Sequence, residues 1–508
     1  MNITTLLEMA VDAFPDRIAV VAGSARLTYS QLLNASRGAG RLAAQSGARH
    51  LALLDVSSVA TPIAIFGAAF AELPYVPLNY RLTAAELSGL IERVSPALLI
   101  TADGANDELE FGDSIQRMSR TQFLAFVERE AGIQTPASAE EELVAVQLFT
   151  SGTTGKPKAA VLRHDNLMSY ILGTVDFASA DEDEASLITV PPYHIAGISA
   201  VLSATYACRR AVLLESFDPL VWLETCERER VTNAFLVPTM LGRIIDEMSA
   251  GPHRWDLSSL RAIAFGGGKM PVPIIKRAMD LFPHADFTNA YGLTETSSTI
   301  CLLGPDDHRA AMSSGDDAVR RRLGSVGRAI GSVEIEIRDN TGGKVSAESI
   351  GDVFVRGGQV AGEYLGLGSA LDAGGWFPTR DRGFLDAEGF LFLDGRADDV
   401  IVRGGENISP GEIEDTLLAH ADVTDAAVVA IPDNEWGEAI GAAIVLRAGA
   451  SVDAAELQTW VRERLRSSRV PALIEFRSEL PYNELGKVLR RVVRDDLKDR
   501  PRSAHSAG

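Results

Sequence analysis

Over residues 1–145 short apolar runs alternate with segments of helical period. MNITTLLEMAVDAFPDR repeats its apolar residues about once per helical turn and predicts an amphipathic helix. Leu27-Thr28-Tyr29 opens a helix that runs through Ala44, Leu51–Asp55 is an apolar strand, and Pro62–Ala71 is a helix with proline in its first turn. Such alternation predicts a layered α/β fold with parallel strands. The most apolar stretch, Val56–Ala71, is bracketed by Asp55 and Glu72. It is shorter than the roughly 20 residues a membrane-spanning helix needs, so it reads as a buried core helix. A further helix begins near Asp165, and the acid-rich Asp181-Glu182-Asp183-Glu184 after it reads as a solvated loop without chemistry.

Near residue 330 the rhythm changes to period 2, as in Val333-Glu334-Ile335-Glu336-Ile337 and Asp352-Val353-Phe354-Val355, with glycine-rich turns between. This predicts a β-rich subdomain. Beyond Gly395 come helix signals at Pro410–Ala419 and Ala454–Leu465 and strand signals at Ala426–Ile431, Ala439–Leu446 and Leu473–Phe476. The expected organisation is a large domain over residues 1–395 and a small α+β domain over 396–508, with a frayed end from residue 499.

Composition narrows the function. A chain of 508 residues exceeds what one hydrophobic core supports. Its net charge of −21, from 48 basic and 69 acidic residues, repels nucleic-acid backbones and anionic lipid. An anionic substrate must therefore meet local cations and backbone N–H groups. Three cysteines, Cys208, Cys226 and Cys301, have no regular spacing, which argues against a disulfide framework and fits a reducing cytoplasm. No Cys/His cluster has zinc-ligand spacing. The start of the chain lacks the basic residues and apolar run of a signal peptide.

Phe149-Thr150-Ser151-Gly152-Thr153-Thr154-Gly155-Lys156-Pro157-Lys158 combines small residues, hydroxyls and two lysines. Such a loop can wrap polyphosphate: glycines let the backbone approach, hydroxyls and N–H groups donate, and lysines neutralise charge. It is not a P-loop, which would need Gly at 150 and Ser or Thr at 157.

Further segments follow in order: Tyr291-Gly292-Leu293-Thr294-Glu295, Gly395-Arg396-Ala397-Asp398-Asp399 with Gly404-Gly405-Glu406-Asn407-Ile408-Ser409-Pro410, and Glu484-Leu485-Gly486-Lys487-Val488-Leu489-Arg490. Together with the loop at 150–156, and with the weaker Val76-Pro77-Leu78-Asn79-Tyr80-Arg81-Leu82, they resemble the ordered signatures of the adenylate-forming superfamily. That superfamily comprises acyl-CoA synthetases, peptide-synthetase adenylation domains and luciferase. The resemblance implies a small C-terminal domain that swings about a hinge at Asp398, and ATP, Mg2+ and coenzyme A as cosubstrates and cofactors.

Residue by residue, the resemblance implies that Thr150, Ser151, Gly152, Thr153, Thr154, Gly155 and Lys156 hold phosphates. Glu295 corresponds to the magnesium-associated carboxylate and Thr294 to a hydrogen-bond donor to the α-phosphate. Asn289, Tyr291 and Gly292 belong to the nucleotide site, Tyr291 packing on adenine. Asp381 matches the ribose-diol acceptor and Arg396 a ribose or phosphate contact. Gly266, Gly267 and Gly268 match a segment against adenine and the acyl pocket, where Lys269 replaces the usual proline. Lys487 corresponds to the lysine that bridges carboxylate and phosphate during adenylation. Arg403, Gly404 and Gly405 match the path of the pantetheine arm. Arg380 stands where the family carries glycine before Asp381; if that position has positive φ, arginine strains it and weakens nucleotide binding.

Pro191-Pro192-Tyr193-His194-Ile195-Ala196-Gly197 resembles the segment lining the acid pocket, with His194 the gate to the thiol tunnel and Tyr193, Val237 and Gly267 also in the pocket. The stretch 191–204 carries no Asp, Glu, Lys or Arg, which suits an apolar medium-chain or aryl monocarboxylate. The expected activity is acyl-CoA synthesis. A ligase loading a separate carrier protein, and a weakened nucleotide- or acyl-binding homologue, are the alternatives; a homodimer stays open.

Overall fold

The structure is a computed structural model and describes residues 1–104, 109, 111–129, 143–150, 157–251, 255–396, 399–404, 406–433, 436–483, 487–498 and 500. Two large sheets form the N-terminal part. The nine-stranded one runs Arg328–Ala329, Ser298–Leu303, Asp286–Leu293, Ala262–Gly266, Asn233–Leu236, Ala185–Ile188, Arg210–Leu213, Ile18–Ala22, Ala25–Thr28. Its centre is parallel, from Ile18–Ala22 across to Asp286–Leu293, and each edge is closed by antiparallel pairing. The eight-stranded one is centred on Tyr75–Pro77, His50–Leu54 and Ala97–Thr101, also parallel.

Helices fill the space between these sheets. Residues of the Thr4–Ala13, Tyr29–Gln45, Ala60–Phe70, His164–Thr174 and Ile195–Tyr206 helices share one core with Leu51 and Leu53 of one sheet and Ile188, Ala211 and Leu213 of the other. The Ala60–Phe70 helix buries every residue, as a helix apolar all round must. The Tyr29–Gln45 helix starts at Thr28, whose hydroxyl accepts from the Gln31 N–H while the Gln31 side chain accepts from the Thr28 N–H. Its outer counterparts, the Pro219–Arg228, Pro238–Ala250 and Val272–Leu281 helices, cover the other face of the nine-stranded sheet.

The period-2 segments become an antiparallel four-stranded sheet, Val333–Arg338, Gly351–Gly357, Phe377–Leu385 and Leu391–Arg396. A five-stranded sheet follows from Ile401, with the Pro410–Leu418 and Ala454–Arg462 helices against it. The C-terminal unit docks on the rest through Lys269, whose ammonium lies 2.6 Å from an Asp415 carboxylate oxygen, and through a Ser409 hydroxyl donating to the Asp394 carbonyl.

One sequence expectation shifts: the acid stretch is not wholly solvated, because Glu184 pairs at 2.9 Å with Arg209, whose side chain reaches the inner end of the main cavity. Asp55, beyond the His50–Leu54 strand, is buried with the Arg120 guanidinium 3.2 Å away.

Candidate active site

One cavity of about 640 Å3 lies between the nine-stranded sheet, the Ile195–Tyr206 helix and the C-terminal unit. Its mouth is polar and its depth is not. Among the described residues Lys158, Arg380, Arg396 and Lys487 line the mouth with a single carboxylate, Glu295. In a chain of net charge −21 this is a local reversal of sign, and it suits a polyanion.

Thr294 and Glu295 leave the Asp286–Leu293 strand in one short 3-10 turn and face the cavity. The turn is tight because Gly292 lies against the returning strand: a Cβ there would sit 1.9 Å from the Ser298 carbonyl oxygen. Gly266 meets the same limit, with the Ala290 oxygen 2.1 Å from a Cβ, and Gly267 beside it lines the cavity at φ +77°. Glu295 accepts a 2.7 Å hydrogen bond from the Tyr364 hydroxyl. Glu295 and burial together hold that phenol well above its usual range.

Asp381 is buried and held from two sides, by the Tyr291 hydroxyl at 2.5 Å and by Arg396 Nε at 3.2 Å. Tyr291 thus packs with the four-stranded sheet's core and points at Asp381, while its strand neighbours Ala290 and Gly292 line the cavity. Asn289 donates to the Ser325 carbonyl at 3.1 Å and is buried. Among the Gly266–Gly268 run only Gly267 lines the cavity.

Arg380 lies on the cavity wall with φ +63°. An L-residue in that region costs about 1–2 kcal/mol, so the chain sustains strain to keep a guanidinium beside Tyr364 and Glu295. Its charge favours phosphate binding, against the weakening expected from backbone strain alone. Arg380→Gly therefore separates the two effects. The melting temperature is not lowered, because the strain released outweighs the roughly 0.5–1 kcal/mol entropic cost of glycine, yet the KM for ATP rises. Thermal melts and ATP titrations check both.

Lys487 reaches the mouth beside Asn483. It keeps exposed surface there, yet protein crowds its other sides; burial, then the Arg396 charge, push its ammonium down to about 8, with Asp381 and Asp399 opposing. The useful form is the ammonium, present below that value and lost above it. Hence kcat/KM for ATP falls as pH rises through about 8, and Lys487→Arg moves that limb to higher pH; a pH profile of pyrophosphate release measures this.

Inward, Ala196, Ser199, Ala200 and Ser203 form one stripe of the Ile195–Tyr206 helix, facing Ala234, Phe235, Ala262, Ala264 and Ala290 of the sheet. The lining runs from Val237 to Asn233, which at about 3.3 Å per strand residue makes a channel of about 13 Å. Tyr193 and His194 flank its entrance, their rings 4.6 Å apart, with Tyr80 edge-on to Tyr193 at 5.4 Å. Burial, then Arg81, push His194 down to about 4, so it is neutral near pH 7.

Thr150 lines the cavity, whereas Ser151, Gly152, Thr153, Thr154, Gly155 and Lys156 lie outside the described residues, as do Asp398 and Gly405. Arg403 and Gly404 are not on the cavity wall; Gly404 packs on Trp436 and Arg403 donates to the Ser468 carbonyl. Tyr364, Asn483 and the helix stripe escaped the motif reading. The stripe had a signal, small residues at i, i+3, i+4 and i+7. Tyr364 had none, since its partner is 69 residues away.

Residues 7–365 match the family described as AMP-binding enzyme, and residues 412–487 match the AMP-binding enzyme C-terminal domain. A feruloyl-CoA synthase of Amycolatopsis sp is 32% identical, over 94% of this chain and 96% of that one. A 2-succinylbenzoate–CoA ligase of Bacillus subtilis (strain 168) is 31% identical, over 95% and 96%. The solved o-succinylbenzoate CoA synthetase of Bacillus subtilis with its acyl-adenylate intermediate superposes with a TM-score of 0.83 at 29% identity, covering 98% of this chain and 99% of that one. The same protein has been solved with ATP and magnesium ion, with a TM-score of 0.81 at 29% identity over 96% and 98%.

Proposed function

The chain belongs to the AMP-binding enzyme family, and from that premise we propose that its cavity couples an elongated aryl or medium-chain monocarboxylic acid to ATP at the mouth. It is an ATP-dependent acyl-CoA synthetase: carboxylate and ATP give acyl-adenylate and pyrophosphate, and coenzyme A then takes the acyl group as a thioester, releasing AMP. The observation that carries the substrate reading is the change of lining along one cavity. Cations and one carboxylate hold the mouth, and a channel of small and aromatic residues runs inward from it. Its one charged lining residue there, Arg209, is neutralised by Glu184. A free dicarboxylate end or an ammonium finds no dedicated partner in such a channel.

Each side chain then has a task. Lys487, Arg380, Arg396 and Lys158 stabilise the phosphates and the charge that moves to pyrophosphate, and Thr294 donates to the α-phosphate. Asp381 accepts from the ribose hydroxyls while Arg396 holds its other oxygen. Among the described residues no group of three or more His, Cys, Asp or Glu could hold a metal alone. A lone carboxylate on the wall nevertheless fits magnesium, which is bound through one or two carboxylates plus substrate phosphates. Glu295 would hold it, and the ion would supply charge neutralisation on the phosphates. Neutral His194 beside Tyr193 gates the thiol approach by its position.

The same proposal includes Asp398 as hinge, residues 1–395 and 396–508 as the domains, Thr150–Lys156 as phosphate loop and Arg403–Gly405 as the pantetheine path. It places the enzyme in the cytoplasm, in keeping with three buried free cysteines. No described helix is long and apolar enough to cross a membrane. A carrier protein as acceptor and a homodimer are the outer reaches of the reading. Acid-dependent ATP–pyrophosphate exchange across short, medium-chain, aryl, dicarboxylic and amino acids tests it, followed by thioester formation with CoA or with a phosphopantetheinylated carrier. Aryl and medium-chain acids are expected to lead. Preference for malonate or an α-amino acid would overturn the substrate class, and no exchange with any acid would overturn the activity.

A further inference from the structure

A second concave site lies at the opposite ends of the same strands. It has a volume of about 380 Å3, and its walls carry Arg26, Arg210, Arg228, Arg230 and Arg261 against only Glu229 and Asp183, with the hydroxyl-bearing Thr232, Ser258 and Ser259 between them. Three of the guanidiniums converge on one buried carboxylate: Arg26 at 2.9 Å, Arg228 at 3.5 Å and Arg210 at 4.0 Å from Glu229. Arg261 is 3.6 Å from both Asp183 and Glu184, and Asp256 also feels Arg230. Even with Glu184 and Asp256 counted, five positive charges face four negative ones.

One feature is costly unless something occupies the site: the Arg210 Nε is buried without a hydrogen-bond partner, although its Nη2 donates at 2.8 Å to the Glu229 carbonyl. Arg230, at φ +48°, is the left-handed residue that closes the Pro219–Arg228 helix, its N–H donating to the Glu227 carbonyl and the Val231 N–H to that of Cys226, so the helix end itself delivers its side chain to the rim. A chain of net charge −21 here gathers guanidiniums, one with an unpaired donor, around a hollow lined with hydroxyls. Arginine forks with Ser/Thr hydroxyls are the donor set that a phosphate group satisfies, since it offers several acceptor oxygens and more than one negative charge.

We propose that this hollow is a binding site for a small phosphate-bearing anion, separate from the nucleotide cavity. Its residues Arg210, Thr232 and Arg261 are chain neighbours of Arg209, Asn233 and Ala262, which line the inner end of the acyl channel. An occupant therefore bears on the wall of that channel and not on the ATP mouth.

Calorimetric titration of the full chain with inorganic phosphate, and separately with glycerol phosphate, tests the site in wild type and in Arg230→Gly. That substitution removes one guanidinium at a position whose backbone favours glycine, so folding is preserved, and a thermal melt in phosphate-free buffer serves as the check. Saturable binding by either probe, weakened about tenfold or more in Arg230→Gly, is the expected result, and the two arms tell free phosphate from a phosphate ester. Arg210→Lys, which keeps the charge but not the fork, weakens it too. Anion bound in the nucleotide cavity is untouched by Arg230→Gly. Binding that survives both variants, or no saturable binding by either probe, overturns the proposal.

Discussion

Lys487→Ala is expected to slow acyl-adenylate formation by about 10²–10³, the range for losing one preorganised electrostatic contact. The ammonium stands at the mouth of the cavity with Arg396, Arg380 and Glu295, where carboxylate and phosphate must meet, and burial and the neighbouring Arg396 charge both weigh against it until negative charge arrives. It can therefore lower the barrier only while negative charge moves between the two reactants. Thioester formation from synthetic acyl-adenylate needs no such charge transfer to pyrophosphate and should largely survive. Pyrophosphate release and CoA consumption, followed separately, check this. Equal loss in both steps would remove Lys487 from its assigned role.

Glu295→Gln has the second large effect. The substitution keeps size and keeps an acceptor for the Tyr364 hydroxyl, but it removes the one negative charge among the described residues that line the mouth. A hard cation bound to ATP phosphates then loses its protein carboxylate. Adenylation should fall by about 10² and the magnesium concentration for half-maximal rate should rise. Tyr364→Phe should have a far smaller effect, since it leaves the charge in place. Magnesium titrations at fixed ATP separate the cases: a rate loss without a magnesium shift would mean that Glu295 serves the fold alone.

Much of this was legible before any coordinates. The alternation of strand and helix periods marks the layered fold, because burial of one face imposes period 2 or 3.6 locally. The glycines at 266 and 292 leave a local trace as well, because at each the neighbouring strand comes so close that no Cβ fits. Thr28 with Gln31 is a helix start readable within four residues. Chemistry that works through short-range backbone geometry leaves a contiguous trace.

What only the tertiary structure decided are pairings between distant segments. Tyr364 reaches Glu295 across 69 residues, and Tyr291 reaches Asp381 across 90. No local period records either contact. Arg380 read as a departure from a glycine; only its φ of +63° together with its place on the wall makes it a strained cation at the cavity mouth. The same holds for Lys269, which looked like a lost proline and is an ion-pair partner of Asp415 on the C-terminal unit. The length of the channel depends on a helix stripe meeting strands of the nine-stranded sheet. The sequence by itself therefore determined the layers and the type of reaction, since each is written in neighbouring residues. Depth, pairing and charge balance were decided by the fold, since each is a distance between residues the chain keeps apart.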